Sequence, residues 1–525
     1  DSGRSQGCAL LRLLPKPEKG DVRPIMNLSS RTRAAHARRF GKATLSVNAS
    51  LADVFAVLDG ERRRRVNLTG SSVFDLDCIH KRLRPFVLNF RKSQEKIYIV
   101  SADVSHCYDS IDQRKLLSLL QNSVVVDSEY EVRRTSSVMF SGDTNTSSLT
   151  KLMTRRSRLS LPLGCSSNTT ATNSEERNVK PVNIEKDKIE RLVVDGIVRK
   201  YMKRRDVMSE IQTHVKRNIV RMGNQYFSQV KGVPQGSVLS TVLCNLYYGM
   251  IEKKFLGFPD HTDENSTYLL MRLTDDFLFI STSRARAEFF ANKVHHGLPE
   301  YGFRTNTSKT KLNFELSYNS NQDLFPLVEE RWLKWCGIRI DTTTLEVSVD
   351  YSRFLGKHVR DTIKIRSESS LERHTPALQS FTARKLHRIF LDADMNSFET
   401  RFRNLLIVNV LVAMKLHCYT RGLVKFPSCD DLEATIRTYS KFLCKLVGER
   451  SQKFTVENLN WNCLVVMSRV LSFTKESRYR KLLSRLRREA ENYSRCTSHR
   501  KAQLAFRSCE SELNYMMREI QYCLS

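Results

Sequence analysis

The stretch from Leu269 to Ile280 reads Leu-Leu-Met-Arg-Leu-Thr-Asp-Asp-Phe-Leu-Phe-Ile. The apolar runs on both sides of Asp275 and Asp276 are typical of buried strands. An ionised carboxylate in such surroundings is unfavourable unless it is paired or holds a metal ion. The stretch therefore predicts a strand, an acidic turn and a second strand, with both acids at the tip. Taken alone, the pair fits an ordinary acidic turn equally well, so the rest of the chain decides between the two interpretations.

A third acid follows a strand-like run upstream. The β-type run Ile97–Val100 leads directly to Asp103. One acid from a strand end and two from a hairpin are what a two-metal nucleotidyl-transfer site requires, because two divalent ions clamp the attacking and leaving oxygens of an in-line displacement. Mg²⁺ prefers one or two carboxylates together with substrate phosphates.

Length, charge and cysteine usage bound the class of protein. The chain has 525 residues, 40% of them hydrophobic, and a formal net charge of +30. This length allows roughly two to four domains, and the charge favours a polyanionic partner, most simply nucleic acid. An anionic membrane surface is the weaker alternative. No apolar run reaches about 18 residues, the length of a membrane-spanning helix. The 13 cysteines form no Cys-x-x-Cys pair, so neither a zinc module nor a disulfide framework is predicted. Because the sequence begins with Asp1, we expect a fragment whose N-terminal part is missing.

The N-terminal region predicts a basic hairpin. Two apolar runs between Ala9 and Asn27 flank a turn marked by Pro and Gly. Lys16 and Arg23 occupy positions from which a hairpin presents cations to phosphates. Two solvated basic residues are the plainer interpretation.

A long insertion separates Asp103 from the next motif. Its Ser/Thr-rich part, Ser136–Glu176, predicts a loop, and residues 179–220 show helical patterning. Then Gly232-Val-Pro-Gln-Gly-Ser237 leads into a helix predicted from about Leu239 to Phe255. Gly and Pro shape a turn that comes close to a ligand, with Gln235 facing a base or template. A simple helix-entry turn is the alternative.

The last motifs precede a helical C-terminal region. Lys309 could act as a cation or acid on a leaving pyrophosphate, or be a surface lysine. The segment Trp335–Ile338 predicts a short strand that grips a backbone, or an ordinary core strand. From about Tyr351 onward helical patterns dominate, at residues 398–418, 432–446 and 475–488. The basic face of the helix predicted at residues 475–488 could bind nucleic acid, act in nuclear targeting or be solvated.

In this order the motifs resemble those of reverse transcriptases, and specifically of the telomerase reverse transcriptases. The telomerase-like segments are Phe86–Phe90, Leu239–Cys244 with Tyr248-Gly249, Leu345–Val347 with Asp350–Ser352, and Leu391-Asp392 with Asn396-Ser397. The long insertion is also similar to the one in telomerase fingers. The resemblance covers most of the chain and weakens after about Gly422.

The resemblance implies a role for each matching residue. It places the two catalytic Mg²⁺ ions on Asp103, Asp275 and Asp276. Nucleotide contacts fall on Lys16, Arg23, Tyr108, Gln235, Gly236 and Lys309, with Tyr108 excluding a ribose 2′-hydroxyl. Primer or template contacts fall on Leu273, Trp335, Cys336 and Gly337. The implied partners are a telomerase RNA template, a single-stranded telomeric DNA primer and dNTPs, with no membrane, in the nucleus at chromosome telomeres.

The expected fold is α/β (α+β), a right-hand polymerase with fingers, an antiparallel palm sheet and an all-helical thumb. Residues 1–350 would form fingers and palm, with the fingers insertion at about 120–226, and residues 351–525 the thumb. The family's RNA-binding and N-terminal DNA-anchoring domains are expected to be absent from this sequence. The alternatives are a retroelement reverse transcriptase and a non-catalytic nucleic-acid scaffold that kept the polymerase fold.

Overall fold

The computed structural model describes residues 9–15, 22–30, 45–93, 95–143, 146–162, 191–257, 267–318, 324–328, 331–365, 370–451, 454–494 and 500–521. The strands are β1 Ala9–Pro15, β2 Val22–Asn27, β3 Tyr98–Asp103, β4 Glu129–Asp143, β5 Thr146–Pro162, β6 Arg191–Lys203, β7 Ile219–Met222, β8 Gln225–Ser228, β9 Tyr268–Leu273, β10 Asp276–Ser281, β11 Lys311–Leu312, β12 Trp332–Trp335, β13 Ile338–Asp341 and β14 Val347–Val349. The α-helices are α1 Val47–Ser50, α2 Ala52–Arg64, α3 Leu76–Ser93, α4 Cys107–Ser110, α5 Gln113–Leu119, α6 Arg204–Lys216, α7 Ser240–Ile251, α8 Arg284–His296, α9 Thr375–Lys385, α10 Arg388–Leu391, α11 Phe398–Gly422, α12 Cys429–Arg450, α13 Val456–Phe473, α14 Arg480–Ser494, α15 Arg500–Ser508 and α16 Glu510–Glu519.

The chain divides into two compact units. Unit 1 comprises Asp1–Ser72, Asp103–Asp260 and Lys293–Asn306. Unit 2 comprises Val73–Ala102, His261–Asn292 and Thr307–Ser525. Each unit is therefore assembled from segments that are far apart in sequence. The predicted boundary between residues 350 and 351 stays a prediction.

Unit 1 contains the predicted N-terminal hairpin. β1 and β2 pair antiparallel, from Leu10 opposite Asn27 to Pro15 opposite Val22, which confirms the strand prediction. Its turn, with Lys16, lies outside the described residues. β1 also pairs in parallel with β7, which gives a four-stranded sheet of order β2-β1-β7-β8.

The insertion in unit 1 differs from its prediction. Ser136–Glu176 was expected to be a loop, yet residues 136–143 and 146–162 belong to β4 and β5, and residues 163–176 lie outside the described part. Helical patterning is predicted for residues 179–220, of which 179–190 lie outside the described part; among the described residues of this range, Arg191–Lys203 is β6 and only Arg204–Lys216 is α-helical. β4 pairs with β5 on one side and β6 on the other. The β4–β5 pairing is a hairpin between sequence neighbours, whereas the β4–β6 pairing joins segments that are far apart in sequence, which local composition does not reveal.

Unit 2 contains the acidic hairpin. β9 and β10 pair antiparallel and belong to a sheet of order β11-β3-β10-β9. Met271, Leu278 and Ile280 are fully buried and join a core shared with the C-terminal helices. The predicted strand, acidic turn and strand are therefore confirmed, because both strands have an apolar side that the core requires.

The remainder of unit 2 is a three-stranded sheet, β12-β13-β14, followed by helices. Trp335–Ile338 was predicted as a strand, but it is the tip of the β12–β13 hairpin. Cys336 has φ 48° and Gly337 has φ 83°, and two positive φ angles are what a two-residue type I′ turn requires. The predicted C-terminal helices are confirmed as α11, α12 and α14. Among the described helices, none is long and apolar enough to cross a membrane.

Candidate active site

The two acids lie at a tight turn with an unusual backbone. Leu273 pairs directly with Asp276, so Thr274 and Asp275 form a two-residue turn. Thr274 has φ 61°, a left-handed conformation that costs a β-branched residue about 1–2 kcal/mol. The side chains of Asp275 and Asp276 are both half-buried. The local fold thus presents two adjacent carboxylates at a strained turn, and surrounding contacts must hold that turn in place.

Arg272 is the contact that holds the turn, and the sequence analysis missed it. Its side chain is completely buried, its Nη1 donates to the Thr274 carbonyl oxygen at 2.9 Å, and its guanidinium lies 5.6 Å from the centre of the Phe277 ring. A buried charge is costly unless hydrogen bonds compensate it. The signal was present in the sequence as one cation inside an apolar run.

The tip of the β12–β13 hairpin contacts one of the acids. The Cys336 thiol donates to Asp276 Oδ2 at 3.4 Å. Trp335 is 3% exposed and belongs to the hydrophobic core, whereas Gly337 is exposed. Unit 2 therefore brings Asp276 and Cys336 together, with the Cys336-Gly337 turn more accessible than Trp335.

Asp103 is the last residue of β3, and its side chain is half-buried. β3 lies between β11 and β10 in the sheet. The Asp103 carbonyl oxygen accepts a hydrogen bond from the Asn306 amide at 2.9 Å. Lys309 is exposed and stands two positions before Lys311, which pairs with Ser101. Lys309 therefore lies toward the C-terminal end of β3.

In unit 1, the Pro-Gln-Gly turn packs against the segment that follows Asp103. The Val233 amide donates to the Tyr108 carbonyl oxygen at 2.8 Å. Gln235 Nε2 donates to Asp109 Oδ2 at 3.0 Å, which orients the glutamine amide. Because both contacts join the same two segments, Tyr108 and Gln235 are brought into one region of unit 1.

The same turn also packs against β2, the strand that contains Arg23. The Met26 amide donates to the Gln235 carbonyl oxygen at 2.9 Å. Gly236 has φ 104°, and a Cβ atom there would lie 2.3 Å from the Met26 carbonyl oxygen. Only glycine combines that backbone conformation with so close an approach. Glycine at position 236 therefore allows the turn to pack against β2, the strand that contains Arg23, a residue predicted to bind the triphosphate.

The donor chemistry fits a hard divalent cation. Among the described residues, no group of three or more His, Cys, Asp or Glu side chains is arranged to hold a metal ion by itself. Asp275 and Asp276 nevertheless supply adjacent carboxylates, and Mg²⁺ is commonly bound by one or two carboxylates completed by substrate phosphates. The acidic turn therefore suits an ion that arrives with its substrate.

Comparison with known proteins shows which family this chain is similar to. Residues 186–358 match the reverse transcriptase (RNA-dependent DNA polymerase) family model. The chain is 28% identical over 521 residues to the telomerase reverse transcriptase of Arabidopsis thaliana, covering 92% of this chain and 43% of the relative. It is 30% identical over 418 residues to that of Canis lupus familiaris, covering 78% of this chain and 35% of the relative. The chain is thus similar to the telomerase reverse transcriptases.

The fold agrees with that relationship. A structure of telomerase from Candida albicans, in complex with a fragment of telomeric RNA, matches with a TM-score of 0.58 and 16% identity, covering 92% of this chain and 66% of that one. The resemblance and the fold class predicted from the motifs are thus confirmed, with antiparallel sheets and a helical C-terminal region. The chain spans less than half the length of the curated telomerase reverse transcriptases that it matches.

Proposed function

We propose that this chain is the catalytic part of a telomerase reverse transcriptase, which copies an RNA template to extend the 3′ end of chromosomal DNA. The observation that carries the proposal is the half-buried acid pair at the tip of the β9–β10 hairpin, with Arg272 hydrogen-bonded to the Thr274 carbonyl of the same turn. The reverse transcriptase match over residues 186–358 supports it.

The acids would bind divalent ions. Asp103, Asp275 and Asp276 are the proposed ligands of two Mg²⁺ ions, and reverse transcriptases as a class use divalent metals. Ions held there would supply positive charge to the oxygens of the attacking primer 3′-hydroxyl and of the departing pyrophosphate. Arg272 holds the Thr274 carbonyl and so positions the two neighbouring carboxylates.

Unit 1 supplies the proposed nucleotide contacts. Tyr108 would lie beneath the sugar and exclude a ribose 2′-hydroxyl, and Gln235 would contact the nucleotide with its amide oriented by Asp109. Gly236 allows this turn to approach β2, on which Arg23 would bind triphosphate oxygens. Lys16 is assigned the same role by resemblance alone.

Unit 2 supplies the proposed primer contacts. Leu273 flanks the acidic turn, and the Cys336-Gly337 turn is accessible beside Asp276. These residues would orient the primer 3′ end. Trp335 would act indirectly, because its side chain supports the hairpin from within the core. Lys309, exposed near the end of β3, would donate a proton or a positive charge to the departing pyrophosphate.

The proposed partners are a telomerase RNA, a single-stranded telomeric DNA primer and dNTPs, in the nucleus at chromosome ends. The names of the relatives support this assignment, as does the Candida albicans telomerase structure, which holds a fragment of telomeric RNA. The net charge of +30 suits an RNA–DNA hybrid that is held chiefly through its backbone.

Primer extension on an RNA–DNA hybrid with Mg²⁺ and dNTPs tests the proposal. We expect extension by the wild type and a loss of at least about a thousandfold in Asp275→Ala, because a carboxylate that holds the ions is removed. Asp361→Ala is the matched control, since Asp361 is an exposed aspartate in the same unit, and it should extend normally.

The outcomes separate the alternatives. Equal extension by wild type and Asp275→Ala would refute the assignment of the acids. A folded wild type that binds the hybrid without extending it would favour a nucleic-acid scaffold. Extension with no preference for telomeric over unrelated primers, in the presence of a telomerase RNA, would favour a retroelement-type enzyme.

A further inference from the structure

A cavity in unit 2 combines cations with aromatic rings. It has a volume of about 390 Å³, and the residues that matter here are Trp332, Lys334, Arg339, Arg403, Glu512 and Tyr515. They come from β12, β13, α11 and α16, so segments up to 183 positions apart in sequence form one wall. The volume is within the range of small-ligand sites. None of these residues has a role in the proposed polymerase chemistry.

Register places two of the cations opposite each other. Lys334 pairs directly with Arg339 across the β12–β13 hairpin. Like charges at directly opposite positions destabilise an antiparallel pair. Lys334 is exposed, and nothing in the described part of the chain forms an ion pair with it. The pairing is favourable when an anion lies between the two side chains.

The Glu512 carboxylate accepts hydrogen bonds from both Arg339 and Arg403. Glu512 Oε1 accepts from Arg339 Nη2 at 2.8 Å and from Arg403 Nη2 at 2.8 Å. Burial raises the pKa of Glu512, but the hydrogen bonds and charges of the two arginines outweigh burial and lower it to about 2. Glu512 is therefore ionised at neutral pH. Three cations face this single carboxylate, so the cavity keeps an excess of positive charge.

Arg339 has an unused donor. Its side chain is 6% exposed, and its Nε is buried with no hydrogen-bond partner among the described residues. A buried donor without a partner costs free energy until an acceptor reaches it. The guanidinium is held rigidly, 4.7 Å from the centre of the Tyr351 ring and 5.8 Å from that of Trp332. The Nε–H of Arg339 is therefore suited to donate a hydrogen bond to an anionic oxygen of a ligand.

An aromatic surface adjoins this anion site. Arg403 and Arg339 lie over the Trp332 ring, so its faces are engaged by guanidinium groups. Tyr515, in contrast, is 47% exposed at the cavity. Bases stack on exposed aromatic rings with little sequence preference, and a phosphate binds between paired cations. The exposed tyrosine ring and the paired cations together suit a ligand that carries both a base and a phosphate.

We infer that this cavity is a second nucleotide-binding site, which holds a phosphate between Lys334 and Arg339 and the attached base against Tyr515. The source of the nucleotide is either a single strand of nucleic acid or a free nucleotide. The site uses no catalytic acid, so its test is independent of whether the chain polymerises DNA.

Tryptophan fluorescence provides a local probe of this site. The chain has 3 tryptophans, of which Trp335 and Trp461 are 3% and 7% exposed, whereas Trp332 lines the cavity. The full chain is titrated with a short oligothymidylate or with thymidine monophosphate, with a chelator of divalent cations present. We expect saturable quenching that weakens about tenfold or more in Lys334→Glu, because a phosphate contact is lost. Tyr515→Ala should weaken binding by a similar factor.

Lys441→Glu is the matched control, because Lys441 is an exposed lysine of the same unit that does not line the cavity. It makes the same change in net charge and should leave the quenching within about twofold of wild type. In Lys334→Ala, the slope of log affinity against log salt for the oligonucleotide should fall by about 0.7. A role limited to folding would leave that slope unchanged.

The two ligands distinguish the sources. Quenching by both identifies a free-nucleotide site, and quenching by the oligonucleotide alone identifies a strand-binding site. Absence of saturable quenching in the folded wild type, or equal binding by Lys334→Glu and Lys441→Glu, overturns the inference. Lys334 is exposed, so its variants are expected to fold even if Tyr515→Ala does not.

Discussion

At the scale of the residue, Arg272 decides the geometry of the acidic turn. Its guanidinium is fully buried and hydrogen-bonded to the Thr274 carbonyl, and Thr274 has a left-handed backbone. A β-branched residue adopts that conformation only when its surroundings impose it. The position of Asp275 and Asp276 therefore depends on a side chain that itself does not need to contact substrate.

We predict that Arg272→Met lowers the rate of primer extension by about ten- to a hundredfold, because small displacements of catalytic groups have effects of this size. The half-saturating Mg²⁺ concentration should rise, since the two carboxylates are less well positioned. Arg272→Lys should recover part of the rate, because it keeps a cation and a donor. Steady-state extension across a Mg²⁺ series measures both quantities.

Arg360→Met is the control for this variant, because Arg360 is an exposed arginine of the same unit. Thermal unfolding of each variant verifies that the comparison is made on folded protein. A folded Arg272→Met with an unchanged rate and unchanged Mg²⁺ dependence would show that the hydrogen bond to Thr274 is dispensable.

At the scale of the element, helix α11 is buried over most of its length, and several of its buried residues are polar. Asn404 Oδ1 accepts from the Val349 amide at 2.9 Å, so the helix is tied to strand β14. Lys415 is 4% exposed, donates to Thr362, and lies 4.7 Å from the centre of the Phe381 ring. Burial lowers the pKa of Lys415 from 10.5 to about 8, and the charges of Arg353, Arg384 and Lys385 act in the same direction against an opposing effect of Cys418.

The lowered pKa of Lys415 makes the free energy of unfolding depend on pH. At neutral pH both the folded and unfolded chains hold the Lys415 proton, and the folded state bears the penalty of a buried charge, about 3 kcal/mol for such a shift. Between pH of about 8 and 10.5 the unfolded state binds more protons. The contribution of Lys415 to the free energy of unfolding therefore rises with pH across that window.

We predict that Lys415→Met increases the free energy of unfolding by about 1–3 kcal/mol at pH 7, because it removes the buried charge and keeps the volume. The difference in free energy of unfolding between Lys415→Met and wild type should shrink as pH rises through 8 toward 10.5. Denaturant unfolding of both proteins along a pH series measures the difference. Lys441→Met, at an exposed position, should show no pH-dependent difference, and a constant advantage of Lys415→Met would contradict the titration of Lys415.

At the scale of the whole molecule, charge dominates the expected interaction with nucleic acid. The chain carries 86 Lys and Arg residues against 56 Asp and Glu. Some of the cations are engaged internally, as Arg485 is with Asp430 and Glu433, so one part of the predicted basic face on α14 is not available. The excess nevertheless remains large across the chain. Backbone phosphates are its natural partner.

We predict that the dissociation constant for an RNA–DNA hybrid rises about a hundredfold or more between about 50 and 200 mM salt, because bound cations are released from the phosphates when the protein binds. Fluorescence anisotropy with a labelled hybrid measures it. A hybrid whose DNA strand carries uncharged methylphosphonates should show a shallower dependence. A dissociation constant that does not change with salt would argue against a backbone-dominated interface.

The sequence by itself determined the elements whose pattern is local. The β9–β10 hairpin follows from apolar runs that flank two acids, the β1–β2 hairpin from Pro and Gly between apolar runs, and α11 and α12 from helical periodicity. The motifs also sufficed for the resemblance to the telomerase reverse transcriptases, which the comparisons confirm. The roles assigned to individual site residues stay predictions.

Only the tertiary structure decided features that depend on distant partners. Residues 136–143 and 146–162 were predicted as part of a loop because their polar composition gives no sign of backbone pairing, yet β4 pairs with the distant strand β6 as well as with its neighbour β5. Trp335–Ile338 became a hairpin tip because β13 folds back on β12. Arg272 acquired its role through its hydrogen bond to the Thr274 carbonyl, and the cavity of unit 2 joins residues 332–339 to residues 403 and 511–515. Local pattern reports which face of an element is apolar, whereas long-range contacts decide which element covers it and which charges meet there.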